Sequence, residues 1–317
     1  MEIKRDALLK RLMDLRHNGM IKVVTGMRRC GKSYLLFNLF SDALKEGGVD
    51  DAHIVQVNLE DHRNKILRDP DKLLEYIDNR LKDDQVHYVI LDEVQLVNEF
   101  EDVLNSYLQL KNADVYVMGS NVRFLSKDVI TEFRGQGLEV RIHPLSFREI
   151  RGARPEVPIE LLWIEYMTYG GLPQVLTMAS DQEKVGYLEG LFKHTYLKDI
   201  KERYDIKLDG DLEELISTLA SSVGGLTNPR KLADTFRTVK KSTISQDTIK
   251  VYIDYLQDAF IVERALRFDI KGKRYIDTPS KFYFEDLGLR NALLNFRQVE
   301  KTHLMENALY NELRARG

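Results

Sequence analysis

Short apolar runs and longer helix-spaced stretches alternate along the first 150 residues. The runs fall at residues 21–25 (IKVVT), 54–59 (IVQVNL), 87–92 (HYVILD), 114–118 (DVYVM) and 138–142 (LEVRI). Between them apolar residues recur at helical spacing, as in SYLLFNLF at 33–40. Runs this short and continuously apolar read as strands buried on both faces, so the alternation predicts an α/β fold: a parallel sheet flanked by helices. The segment ahead of it, MEIKRDALLKRLMDLR, reads as an amphipathic helix.

The pattern changes after residue 150. RGARPEVP at 151–158 carries charge and two prolines and reads as a boundary loop. Residues 159–205 are helical in pattern, broken at Gly170, Gly171 and Pro173. Three helices are then expected at 212–223, 228–239 and 245–260, with Pro229 in the first turn of the second and Ser245 as N-cap of the third. Two strands, 260–268 and 273–284, follow around the turn at 271–273. Three short helices and a hairpin describe a winged helix. The expected organisation is an ATPase-like sheet domain at 1–150, a helical lid or linker at 151–205, a winged-helix-like domain at 206–290, and the start of a truncated C-terminal domain at 291–317. HLMENALYNELRAR at 303–316 reads as an amphipathic helix.

Chemistry concentrates where the first strand breaks into GMRRCGKS at 26–33. Gly26 and Gly31 permit backbone torsions that turn successive N–H groups toward phosphate oxygens. Lys32 supplies a mobile positive charge for the outer phosphates, Ser33 offers a hydroxyl to Mg²⁺, and the following helix points its N-terminal end at the anion. Arg28, Arg29, Cys30 and Tyr34 complete the candidate nucleotide-contacting set. The run at 87–92 ends in Asp92 and Glu93. Asp92 is the candidate metal carboxylate with Ser33, and Glu93 is placed to orient or deprotonate an attacking water. Asn121 or Ser120, after the fourth run, would reach the γ-phosphate or the water. Arg134 is a candidate arginine finger, and Asn58 or Glu60 a candidate nucleotide sensor.

GMRRCGKS, LDEVQ (91–95), MGSN (118–121) and HPLSFREI (143–150) together resemble a widespread bacterial and archaeal AAA+ family that joins an ATPase module to a C-terminal domain of unknown function. The likeness continues through YGGLP (169–173), LKDIKERYDI (197–206), KFYFEDLGLRNALL (281–294) and MENALYNELRARG (305–317), nearly the whole chain. The resemblance implies a P-loop ATPase using ATP and Mg²⁺, with Gly26, Gly31, Lys32 and Ser33 as the nucleotide loop, Asp92 and Glu93 as metal and catalytic acids, and Asn121 as sensor. Adenine over guanine rests on this likeness alone. In that family the last stretch opens a nuclease-like domain with Glu306 as an early acidic position, and the further acids and lysine that cleavage requires are not in these 317 residues. Nuclease activity is therefore not expected of them.

Composition narrows the partners. Net charge is -3 with 31% charged residues, so there is no global attraction to nucleic acid or anionic membrane. Local cations could still grip a DNA backbone: Arg230, Lys231, Arg237, Lys240 and Lys241 in the second helix and turn, and Lys271, Lys273 and Arg274 in the wing. The third helix opposes a recognition role, because its outer face offers Gln246, Lys250, Asp254 and Gln257 with Asp247 and Asp258 nearby. DNA contact and a protein-docking role both stay open, as does an ATP-promoted homo-oligomer. Cys30 is the sole cysteine, which excludes an intramolecular disulfide and fits a reducing compartment. No run approaches the roughly 20 apolar residues of a membrane span, and a cytoplasmic location is expected. The seven histidines show no paired ligand spacing, so no metal held by the protein alone is expected. Two functions remain: an ATPase whose turnover moves a winged helix, or a slowly hydrolysing, nucleotide-gated binding module.

Overall fold

Strand β1 (Ile21–Thr25) is buried at all five positions, and so is β3 (His87–Asp92) at all six. With β2 (Ile54–Asn58), β4 (Ala113–Met118) and β5 (Gly137–Arg141) they form a sheet in the order β2-β3-β4-β1-β5, parallel throughout. This is the α/β architecture expected of the sequence. The structure, a computed structural model, describes residues 3–119, 133, 135–206, 209–266, 279–297 and 301–316, apart from the side chains of 209, 240 and 301. They form two units, Lys4–Ile142 and His143–Gly317 together with Met1–Ile3.

The central strands β1, β3 and β4 are almost wholly buried because each serves two helical layers. Alternate residues point to opposite faces. On one face Val23, Val57, Leu91 and Val117 join a core with Leu73 and Ile77 of the helix Pro70–Asp78 and Val103 and Leu104 of Phe100–Tyr107. On the other, Tyr116 meets Phe40 with ring centroids 4.7 Å apart. Phe40 lies on a helix that begins at Lys32–Tyr34, is π-wound over Leu35–Phe40 and returns to α geometry over Ser41–Glu46. This face also holds a buried ion pair between Lys22 and Asp114. The Tyr116 hydroxyl donates to Asp114 at 3.1 Å and the His17 amide at 3.2 Å, which satisfies the carboxylate. Burial pulls the Lys22 amine below its usual range, and Asp114 opposes that shift.

In the second unit, helices Phe147–Ala153, Ile159–Tyr169 and Asp181–Leu191 come first. Helices Asp209–Ser221, Pro229–Thr235 (continued as a π-wound stretch to Lys240) and Gln246–Asp258 precede the antiparallel pair β6 (Val262–Ala265) and β7 (Lys281–Phe284). Asn228 caps the second of these helices through the Lys231 amide, and Ser245 the third through Thr248.

The segment after β7 is the hub of this unit. Asp286, fully buried, accepts the amides of Gly171 (2.7 Å) and Leu289 (2.9 Å). A Cβ on Gly170, whose φ is +75°, would lie 2.4 Å from both carboxylate oxygens, so that position takes only glycine. The buried Arg290 donates Nε to the Ala220 carbonyl at 2.8 Å, and Asn291 donates to the carbonyls of Met167 and Thr168. Asn307, from the helix Lys301–Arg316, bonds both the N–H and the C=O of Phe284 at 2.8 Å. The YGGLP, FEDLGLRN and MEN residues thus meet in one network. Among the described residues, no helix is long and apolar enough to cross a membrane.

Two outcomes follow from these buried charges. Asp114→Ala strands the Lys22 ammonium and should cost about 3–5 kcal/mol, read as a fall in the urea midpoint; Asp114→Leu combined with Lys22→Met should recover most of it. Burial pushes the Asp286 carboxyl from 3.8 up to about 6. Folding then favours the protonated form, a contribution fully present below the unfolded value and lost as pH rises through about 6. Between pH 7 and pH 4 the wild type should gain about 2 kcal/mol relative to Asp286→Asn, and parallel stability curves for the two would refute this.

Candidate nucleotide site

Strand β1 delivers Thr25 to the carboxyl edge of the sheet, where the chain turns through Gly26 to Gly31. Gly26 has φ +143°, and a Cβ there would sit 2.1 Å from the Ile142 carbonyl oxygen, so the loop can leave the sheet here only without a side chain. Arg29 and Gly31 also take positive φ, +64° and +97°. Gly31 immediately precedes the helix that starts at Lys32. The loop is braced from beneath: Arg5, itself buried, donates Nη1 to the Cys30 carbonyl at 3.1 Å. Cys30 is buried, with Sγ 3.7 Å from the Ile142 carbonyl oxygen.

Lys32 curls back over this loop. Its Nζ donates to the carbonyls of Gly26 (2.9 Å) and Met27 (3.0 Å), which holds the positive charge within the turn. Ser33 Oγ donates to Asp92 Oδ2 at 2.7 Å and joins the loop to the end of β3. Strand β4 lies between β1 and β3, so this bond spans a gap of two strand spacings, about 9.6 Å. Burial pushes the Asp92 carboxyl up to about 6; Glu93 pushes the same way, while the Ser33 hydrogen bond and Lys32 oppose it. Glu93, at φ +52°, opens the turn Val94–Leu96, and the Gln95 amide donates to its carboxylate.

The remaining candidates are spread around this centre. Arg28 pairs with Glu60 at 3.2 Å, close to the end of β2. Asn58 Oδ1 accepts the Glu60 amide at 2.9 Å, so its side chain shapes the turn after β2. Tyr34 is half-exposed. Asn121 and Ser120, Arg134, and the wing cations Lys271, Lys273 and Arg274 lie outside the described residues, as does the Lys240 side chain. Lys241 is exposed.

Sequence reasoning missed two supporting residues. Arg5 lies 25 residues before the carbonyl it holds, in a stretch with no motif, and nothing in the sequence points to it. Gln95 stands two residues after Glu93, and a polar residue there within a turn was the available signal.

Residues 18–151 match the family model of an AAA domain, and residues 160–300 that of a domain of unknown function (DUF8612). An uncharacterised protein of Haemophilus influenzae is 32% identical over 320 residues, which cover 99% of this chain and 79% of that protein. An uncharacterised protein of Methanocaldococcus jannaschii is 28% identical over 310 residues, covering 94% of this chain and 67% of that one. Among solved structures, the Aeropyrum pernix ORC1 protein in complex with DNA aligns at 12% identity and a TM-score of 0.35, covering 93% of each chain. Cdc6p from Pyrobaculum aerophilum aligns at 14% and 0.37, covering 96% of this chain and 94% of that one, and neither likeness is close enough to carry an argument. The two domain matches together with the near-full-length relative show that the chain belongs to the AAA+ ATPase family in which an AAA domain is joined to a C-terminal domain of unknown function.

Proposed function

We propose that the chain binds ATP with Mg²⁺ and hydrolyses it, and that the nucleotide state repositions a winged-helix domain in the second unit. The observation that carries this reading is the Ser33–Asp92 hydrogen bond at 2.7 Å, which joins the glycine-bounded loop to the acidic strand end. Hydroxyl and carboxylate oxygens are the donors Mg²⁺ takes, usually one or two from protein with water and phosphate oxygens completing the shell, so the residues fit the ion. When bound, Mg²⁺ would neutralise charge on the outer phosphate oxygens.

The chain's own residues have separate tasks. Amides of the Gly26–Gly31 turn line the cradle, and Lys32 exchanges its two carbonyl contacts for phosphate oxygens. Glu93, held by Gln95, orients the attacking water or takes its proton. Asn121 serves as sensor and Arg134 as a finger supplied by a neighbouring copy. The winged-helix reading is supported by three helices followed by the β6–β7 pair. Movement of the helices at 159–203 as a lid would pass the change to that domain.

A protein partner is the better-supported target of the movement. On the helix Gln246–Asp258, Tyr255 is stacked by Tyr204 with centroids 3.5 Å apart, and Asp258 accepts the Tyr204 hydroxyl at 2.9 Å. That leaves a part-covered, acidic face, poorly suited to phosphates. The second reading, a slowly hydrolysing module that grips DNA through Lys240, Lys241, Lys271, Lys273 and Arg274, draws support from the exposure of Arg230, Lys231, Arg237 and Lys241.

Lys32→Ala should abolish ATP binding measured by calorimetry. Glu93→Gln should keep binding and lose turnover by about 10²–10⁴-fold, and equal turnover in the wild type and Glu93→Gln removes Glu93 from the mechanism. DNA stimulation of turnover that fades steeply between two salt concentrations would instead favour the gripping module.

A further inference from the structure

The histidines scattered through the sequence are not all apart in space. Strand β2 begins one residue after His53 and β3 begins at His87, and the parallel register Ile54↔Tyr88 sets the two residues side by side. Their rings lie 4.7 Å apart. Asp83, in the connection leading to β3, brings a carboxylate to both: His53 Nε2 is 3.0 Å from Oδ2 and 3.3 Å from Oδ1, and His87 Nε2 is 3.9 Å from Oδ1. The three ligand atoms lie within 4.8 Å of one another. We propose that His53, Asp83 and His87 bind a transition-metal dication of the zinc class.

The hydrogen bonding around the cluster supports this. His87 Nδ1 is 2.9 Å from the Gln85 carbonyl oxygen. A carbonyl can only accept, so this contact puts a proton on Nδ1, and in the neutral ring Nε2 is then the nitrogen left to coordinate a cation on the Asp83 side. At 3.9 Å, His87 Nε2 and Asp83 Oδ1 are too far apart for a hydrogen bond, and a cation between them would contact both. A backbone-anchored Nδ1–H is also the usual second contact of a metal-binding imidazole. Asp83 is fixed in turn, since its Oδ1 accepts the Gln85 amide at 2.9 Å and Asn112 Nδ2 donates to its backbone carbonyl at 3.0 Å.

Size and access agree. Bonds of about 2.0–2.1 Å in a tetrahedral shell place ligand atoms roughly 3.3 Å apart, so the His53–Asp83 spacing already matches, while the His87 ring, 3.9 Å from Asp83 in a cluster 4.8 Å across, must move in by about 1 Å. Side-chain exposure rises from 2% at His87 through 13% at His53 to 48% at Asp83, which leaves an entry path and a position for water on the Asp83 side. Two imidazoles and one carboxylate select zinc, nickel or copper over magnesium. The cluster sits at the amino end of β3, about 16 Å along the strand from Asp92 at the other end. A bound ion would fasten edge strand β2 to β3 and add its binding energy to the stability of this unit.

The test titrates Zn²⁺ by calorimetry and Co²⁺ by visible absorption into the metal-stripped full chain without nucleotide. One equivalent should bind, with Co²⁺ bands of low coordination number and a Zn²⁺-dependent rise in Tm. His53→Ala and Asp83→Asn should each weaken binding by about 10-fold or more, while His62→Ala should not. These two positions are chosen because the buried His87 is more prone to misfold on substitution, and circular dichroism checks both variants. Loss of binding in Asp92→Asn with retention in His53→Ala would move the ion to the nucleotide loop and overturn the proposal. So would Zn²⁺ binding that survives both cluster substitutions, or none below about 100 μM, a binding free energy weaker than roughly 5.5 kcal/mol.

Discussion

A hydroxyl and a carboxylate 59 residues apart meet across strand β4, and the geometry of the nucleotide loop depends on that meeting. With β4 interposed, the loop after β1 and the acids after β3 cannot touch through the sheet; a side chain must reach over it. Ser33 does so from the first turn of its helix, which fixes how that helix starts. The start requires Gly31 at φ +97°, and the departure from β1 requires a residue without Cβ at Gly26. One hydrogen bond and two glycine positions therefore determine each other. Arg5 holds the same loop from the other side, through the Cys30 carbonyl.

The second unit solves a different problem with similar means. Its elements are helices and a two-stranded ribbon joined by loops, which leave helix-end and loop backbone groups in need of partners. Asp286, Arg290, Asn291 and Asn307 meet that need by satisfying backbone groups of three separate segments, at 167–171, Ala220 and Phe284. A carboxylate this deep costs desolvation, partly offset by the amides it accepts, and its raised pKa is the trace of the remainder. The FEDLGLRN and YGGLP residues read from the resemblance are accounted for by this network, which is a matter of packing.

Strands β1, β3 and β4 were legible because burial on both faces makes them largely apolar runs, a signal that survives without knowledge of neighbours. The same holds for Ser245, whose capping bond is local. Lys22 and Asp114 were not legible. Each looks like an ordinary surface charge within its own strand, and only the β1–β4 pairing turns them inward together. Arg5 and the π-winding of Leu35–Phe40 likewise depend on contacts that no local pattern carries. At the nucleotide loop, glycine and lysine spacing located the turn, while the brace beneath it and the Gln95 contact to Glu93 came only with the fold.

Strand β3 shows how register can create chemistry that composition hides. Its carboxyl end presents Asp92 and Glu93, oxygen donors suited to a hard cation carried in by phosphate. Its amino end presents His87 beside His53, because the β2–β3 register aligns the first residue of β3 with the residue before β2. Sequence spacing of 34 residues between the two histidines matches no ligand motif, so a search by spacing passes over them. A one-residue slip in the β2–β3 pairing would send one ring to the opposite face and separate the pair. The donors at the two ends differ in kind, oxygen at one and imidazole with carboxylate at the other, so cations at the two proposed sites would be of different classes and, about 16 Å apart along the strand, would bind independently.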